Sequence, residues 1–205
     1  MNPRIEQAIE NLKAEEDHRI QRGLEQLMAT AFAFAKKVCG NEEDAEDIAQ
    51  ETMIQLTAAA GRFSDARGLG VWLYKVAKTR CLMSRRSSKF APSPAKTLSL
   101  DQLMPSAEEA SAIAQKPWRV GPEELVLREE LRAELERAVL SLPEHYRLVL
   151  VLRDMEELDT QEAAQALGVS PATIKMRLHR ARSFVRNQLQ NYFGSSQPVK
   201  PDLVR

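Results

Sequence analysis

Aromatic residues make up only 5% of the 205-residue chain, while Ala, Leu, Glu and Arg are frequent, a balance that favours helices over sheet. Cysteine is nearly absent. Cys39 and Cys81 show no metal-ligand spacing and only three histidines exist to help them, so each is expected to be a small buried or half-buried residue. No metal site or cofactor is expected. No carboxylate–histidine or cysteine–histidine constellation and no phosphate loop occurs, so no catalytic residue is assigned and an enzyme is not expected. Long apolar runs, a signal peptide and lipidation signals are also missing, which leads to the expectation of a cytoplasmic protein without membrane insertion. With 43% hydrophobic residues the chain can still bury a core, and its length suggests one or two domains.

Net charge is zero, but the average conceals a separation. Residues 1–61 hold six basic side chains against twelve acidic ones, whereas residues 62–96 hold nine basic ones against the single acid Asp65. Such segregation suggests one surface for a basic protein partner and another for nucleic acid.

The stretch 159–187 organises the rest. Asp159 and Glu162 have the spacing of an N-cap and its reciprocal partner, and Gly168 can take the left-handed conformation that ends a helix. Ser170 is a second N-cap, with Pro171 at the first helical position, where its missing N–H costs nothing. Ile174, Leu178, Ala181 and Val185 then recur as a buried stripe. Lys175, Arg177, His179, Arg180, Arg182 and Arg186 fall largely around the remaining surface without one acidic residue among them. A short helix, a tight turn and a basic second helix form the arrangement that enters a major groove. A plain helical hairpin with a solvated basic face is the competing interpretation.

Elsewhere the periodicity predicts a weakly patterned first helix over 1–17, frayed or independent, and an amphipathic helix over 20–38 stopped by Gly40. A third helix covers about 42–60, with Ala45, Ile48, Ala49, Met53, Leu56 and Thr57 inward and Asp44, Asp47, Gln50 and Glu51 outward. The loop 61–68 is followed by a helix over 69–86 that buries Trp72 or Leu73 and exposes Lys75, Lys78 and Arg80. Prolines and serines mark 87–122 as a linker with one short helix around 107–115. Helices are expected from about 123 to 140, and from Pro143 through Arg153 with Tyr146 and Arg147 exposed. The expected architecture is all-α: two small helical domains, 1–86 and 123–193, joined by the flexible linker 87–122 and followed by a disordered tail at 194–205. The second is a four-helix domain containing the helix-turn-helix.

The run Asp44-Ala45-Glu46-Asp47-Ile48-Ala49-Gln50-Glu51-Thr52, followed by Trp72-Leu73 and a basic helix, resembles the first domain of bacterial RNA polymerase sigma factors of the extracytoplasmic-function type. Leu142-Pro143-Glu144-His145-Tyr146-Arg147, then Glu162-Ala163-Ala164 and the segment 173–182, is similar to their second domain. The resemblance implies a promoter-specificity subunit of the sigma-70 superfamily. By it, Asp44, Asp47, Gln50 and Glu51 would dock on the clamp coiled coil of core RNA polymerase. Arg62, Phe63 and Arg67 would capture a flipped base of the −10 element, and Lys75, Lys78, Thr79 and Arg80 would hold the single strand. Ser170, Pro171, Thr173, Lys175, Arg177 and Arg180 would read the −35 element while their domain rests on the polymerase flap. An anti-sigma factor is a further expected partner on family grounds.

Independent chemistry agrees with these roles. Clustered carboxylates repel DNA but suit a basic protein face, and an aromatic with arginines beside a basic helix is how single strands are held. The chain departs from the family pattern at Leu69, Thr79, Met83, Ala163 and Met176. Of these, Thr79 bears on the −10 preference, and Met176 could offer an apolar contact to a thymine methyl. The alternative is a stand-alone helix-turn-helix regulator, which gives no reason for the segment 44–52.

Overall fold

The computed structural model describes residues 2–14, 16–59, 63, 65–87, 102–115 and 128–195, with side chains for all of these except 84–87, 128–129 and 193–195. The fold is all-α, and no strand occurs among the described residues. In chain order the helices are α1 (Pro3–Leu12), α2 (Asp17–Cys39), α3 (Glu42–Ala59), α4 (Ala66–Ser87), α5 (Ala107–Gln115), α6 (Arg128–Ser141), α7 (Glu144–Leu150), α8 (Thr160–Leu167) and α9 (Pro171–Ser195). A π-helical turn, Val151–Met155, continues α7. The expected linker helix is present at α5. The rest of the linker (88–101 and 116–122), the expected helix start at 123–127 and the tail beyond Ser195 lie outside the described residues.

The first helix is neither frayed nor independent. Asn2 caps it by accepting from the Arg4 N–H, Pro3 sits at its first position, and Ile5, Ala8 and Ile9 are buried against α2. Weak periodicity concealed a short stripe that has a partner. The crossing depends on Gly23, where a Cβ would lie 2.8 Å from the Ala8 carbonyl oxygen and 3.0 Å from Leu12 Cγ. Alanine is ordinarily the better helix residue by about 1 kcal/mol, yet here it would meet backbone that cannot swing aside. Gly23→Ala is therefore expected to destabilise the protein, by about 1–3 kcal/mol, as a lower urea midpoint at unchanged slope.

Helices α2, α3 and α4 bury Leu27, Phe34, Val38, Ile48, Leu56, Leu73 and Tyr74, with the Phe34 and Tyr74 rings 5.0 Å apart at 59°. Two details differ from the periodic reading, and one settles an alternative it left open. Thr52 rather than Thr57 faces inward on α3, its hydroxyl donating to the Ile48 carbonyl, while Thr57 is exposed. Trp72 is half-buried, and Leu73 and Tyr74 are the core residues of that turn. Tyr146 and Arg147, expected on the surface, are both buried. The reason is that α7 is covered from two sides, by α9 and by the end of α2, which periodicity within α7 cannot reveal.

The helices after the linker build on local signals that act as expected. Asp159 and Glu162 form a reciprocal capping box, Gly168 ends α8 at φ 69°, and Ser170 Oγ accepts from the Thr173 N–H to open α9. The Asp159 carboxyl is held below its ordinary range, chiefly by the Glu162 backbone N–H. A carboxylate with a depressed folded pKa contributes stability above its unfolded value and loses it as pH falls through the folded one. Asp159→Ala is thus expected to cost about 1 kcal/mol at neutral pH. That difference from the parent should shrink in denaturation curves taken progressively below pH 4.

A buried carboxylate lies where the two halves meet. Glu156, 2% exposed at the end of the π-helical turn, accepts from Tyr74 Oη at 2.7 Å, Lys37 Nζ at 2.7 Å and Asn2 Nδ2 at 2.8 Å. Burial, then the charge of Glu156, pushes the Tyr74 phenol far up, so it stays protonated and donates. Nearby, Arg147 donates to the Val38 carbonyl at 2.5 Å and to those of Leu140 and Leu142. A buried charge is tolerated when it is hydrogen-bonded: Glu156 is met by Lys37, Tyr74 and Asn2, and both terminal nitrogens of Arg147 donate to carbonyls, one of them across the joint.

Candidate nucleic-acid interface

The acidic ridge on α3 is real. Asp47 and Gln50 are exposed, whereas Asp44 is half-exposed and accepts from Asn41 Nδ2 at 3.3 Å. Glu51 is not open: it pairs with Arg80 at 2.7 Å, joining a residue expected to meet polymerase with one expected to meet DNA. Ile54, 63% exposed, continues the same ridge one turn past Gln50. It was absent from the sequence reading, although its position off the inward stripe was a usable signal.

Arg62 lies outside the described residues. Phe63 is half-buried with its ring 5.3 Å from Trp72, and it lines a hollow of about 440 Å³ with Ile9, Leu12, Leu24, Leu56 and Leu69. Its ring is therefore partnered by the fold. Arg67 Nε lies 3.6 Å from Glu162, and Lys78 donates to the Ala166 carbonyl at 3.2 Å. Burial, with Lys75 nearby as the lesser cause, lowers the Lys78 pKa. Lys75 and Thr79 are exposed, and the Thr79 hydroxyl donates back to the Lys75 carbonyl.

On α9, Ile174, Leu178, Ala181 and Val185 form the buried stripe, and this fixes which side faces out. Ser170, Lys175 and Met176 are exposed, and Pro171, Thr173 and Arg177 are partly so. Ser170 and Thr173 hydroxyls are 2.8 Å apart. Arg180 is engaged internally: Nε donates to the Pro105 carbonyl at 2.6 Å, and its guanidinium lies over the Tyr146 ring at 5.3 Å. The stretch before α5 and α5 itself thus lie along α9, reinforced by Ser183 Oγ on the Ala110 carbonyl at 2.9 Å and by Ser111 beside His179 at 3.2 Å. Of the residues expected to read DNA on α9, Lys175 stands clear, while Arg180 is held by the linker.

Among the described residues no group of three or more His, Cys, Asp or Glu could hold a metal ion, and no helix is long and apolar enough to cross a membrane.

Comparison with known proteins gives two family matches, Sigma-70 region 2 over residues 24–90 and Sigma-70, region 4 over residues 132–185. The chain is 30% identical over 161 residues to the ECF RNA polymerase sigma factor SigW of Bacillus subtilis, covering 78% of this chain and 83% of that one. It is 25% identical over 180 residues to the RNA polymerase sigma-H factor of Pseudomonas aeruginosa, covering 84% and 91%. Among solved structures, the sigma factor RpoE from Bartonella quintana, in complex with the anti-sigma factor NepR, aligns with a TM-score of 0.55 at 21% identity. That alignment covers 86% of this chain and 98% of that one. CnrH in complex with the cytosolic domain of CnrY aligns at 0.54 with 22% identity, covering 92% and 97%. At these identities the two structures establish the fold.

Proposed function

This chain belongs to the extracytoplasmic-function sigma factors of the sigma-70 superfamily, which direct transcription initiation through core RNA polymerase, and from that premise we propose how its surfaces divide the work. The amino-terminal helices through α4 form one functional unit, and α6 through α9 form the other, with α8 and α9 as a helix-turn-helix. Asp47 and Gln50 dock on the clamp coiled coil, with Ile54 as an apolar contact at one end of the ridge and Asp44 at the other. Phe63, Arg62 and Arg67 with Lys75, Lys78, Thr79 and Arg80 engage the −10 strand. Ser170, Pro171, Thr173, Lys175, Arg177 and Arg180 face the −35 element, and the surface of their unit rests on the flap. An anti-sigma factor is a second partner, as it is for the solved RpoE, which was obtained with the anti-sigma factor NepR, and the working compartment is the cytoplasm.

The observation that carries this division is the placement of the two exposed patches. The acidic ridge at Asp47 and Gln50 and the basic patch at Lys175 lie on different helices of different halves, so protein and DNA can be engaged together. Carboxylates at the first patch oppose DNA and favour a basic protein face. A stand-alone regulator would leave the 24–90 match without a role.

The test is a titration of core polymerase with the Asp47→Ala/Gln50→Ala protein. Both side chains are exposed, so folding stability should stay within about 0.5 kcal/mol of the parent while core affinity falls. Unchanged core affinity would remove the assignment. Phe63→Ala refines the −10 proposal. Loss of strand opening with normal closed-complex formation, read by permanganate reactivity, would mark a base contact. Lowered stability with normal opening would mark the ring as packing for Trp72 alone.

A further inference from the structure

The chain has two cysteines in 205 residues, and folding brings both to one place. Cys39 ends α2 and Cys81 lies in α4, 42 positions further on, with their Sγ atoms 2.7 Å apart. Sulfurs in a disulfide stand about 2.05 Å apart, so only a small closing motion separates contact from bond. Neither sulfur belongs to the surfaces assigned above to polymerase or DNA. Packing accounts for a small side chain at either position, but it does not account for the whole cysteine content of the chain meeting sulfur to sulfur.

The two thiols differ in access. Cys39 is half-buried and Cys81 is 1% exposed, so an oxidant from solution reaches Cys39 first. Cys81, shielded and already in contact, is placed to react with whatever forms on its neighbour.

The geometry points to Cys39 and Cys81 as an oxidisable dithiol, in which a hydroperoxide oxidises Cys39 and Cys81 resolves it to an intramolecular disulfide joining α2 to α4. In the first step the Cys39 sulfur attacks one peroxide oxygen and the O–O bond breaks. Hydrogen peroxide thereby leaves a sulfenic acid on Cys39 and one water. In the second, the Cys81 sulfur attacks the Cys39 sulfur, the S–O bond breaks, and the departing hydroxide takes the Cys81 proton to leave as a second water. Two thiols have lost two hydrogens and two electrons, and one peroxide has become two waters. The new bond joins the helices whose Lys37 and Tyr74 grip Glu156, so it fixes the amino-terminal side of the joint between the halves. None of this depends on the assignment of the polymerase or DNA surfaces.

The experiment exposes the full chain to hydrogen peroxide, quenches it and denatures it. Thiol titration should fall from two per chain to none, and the intact mass should drop by two hydrogens. The protein should remain a single-chain band on a non-reducing gel, and dithiothreitol should restore both thiols. Dimedone, which captures sulfenic acids, should label Cys39 in Cys81→Ser several-fold more than in the parent, where Cys81 removes the intermediate. Retention of both thiols, a bond between two molecules, or equal dimedone labelling in parent and Cys81→Ser would each overturn the proposal. The parent measurements stand even if the serine variant fails to fold.

Discussion

Arg147→Ala should be the most damaging single substitution in the carboxyl-terminal half, lowering the unfolding free energy by about 2–5 kcal/mol. Arg147 is 6% exposed, and its guanidinium donates to three carbonyls, those of Val38, Leu140 and Leu142. Truncation leaves these buried acceptors without their donor, each costing about 1–3 kcal/mol and not in simple sum. Arg147→Lys should recover only part of the loss, because one ammonium cannot span the end of α2 and the end of α6 as a planar fork does. Chemical denaturation followed by circular dichroism measures both. Equal stability of parent and alanine variant would mean that water replaces the guanidinium and that the joint is looser than described.

The second large effect belongs to promoter recognition. Lys175→Ala and Arg177→Ala should each weaken holoenzyme binding to a promoter, and the form of the loss identifies the contact. A side chain on a base edge costs about 1–3 kcal/mol, or roughly 5- to 150-fold, and only on the matching −35 sequence. A side chain on phosphate costs affinity evenly across sequences and lowers the salt slope by about one. Isotherms at several salt concentrations on matched and scrambled sites separate these. Full affinity in both variants would place the reading face elsewhere on α9. Lys175 is the cleaner probe, since it is exposed and its removal disturbs no internal contact that the structure shows.

Much of this is legible in the sequence alone, and the reasons are physical. Caps and stops are local: Asp159 with Glu162, Gly168, Ser170 with Pro171, and Gly40 each act within a few residues, so sequence spacing suffices. The stripe on α9 was equally readable, because a helix packed on one side keeps its period. What failed was anything set by a distant partner. Tyr146 and Arg147 carry polar atoms and occur in a short helix, and only the presence of α2 across the joint makes them interior. Glu156 looked like one acid among many. Nothing near it in sequence announces that Asn2, Lys37 and Tyr74 converge on it. The approach of Cys39 to Cys81 was invisible for the same reason.

The engagement of Lys78, Arg67 and Arg180 within the fold turns each of their proposed DNA contacts into an exchange. A phosphate out of reach of the held side chains would have to draw Lys78 from the Ala166 carbonyl, or Arg180 from Pro105. What DNA gains there is the difference between two hydrogen bonds, which can be close to nothing even when each is strong. If the released arrangement accounts for one molecule in about a hundred, the apparent affinity through it is weaker by about a hundredfold at unchanged contact chemistry. Lys175 carries no such handicap. Promoter affinity through Arg180 then reports the internal equilibrium of the protein, whereas affinity through Lys175 reports DNA alone, and the ratio of the two substitutions becomes a gauge of how often the halves and the linker let go.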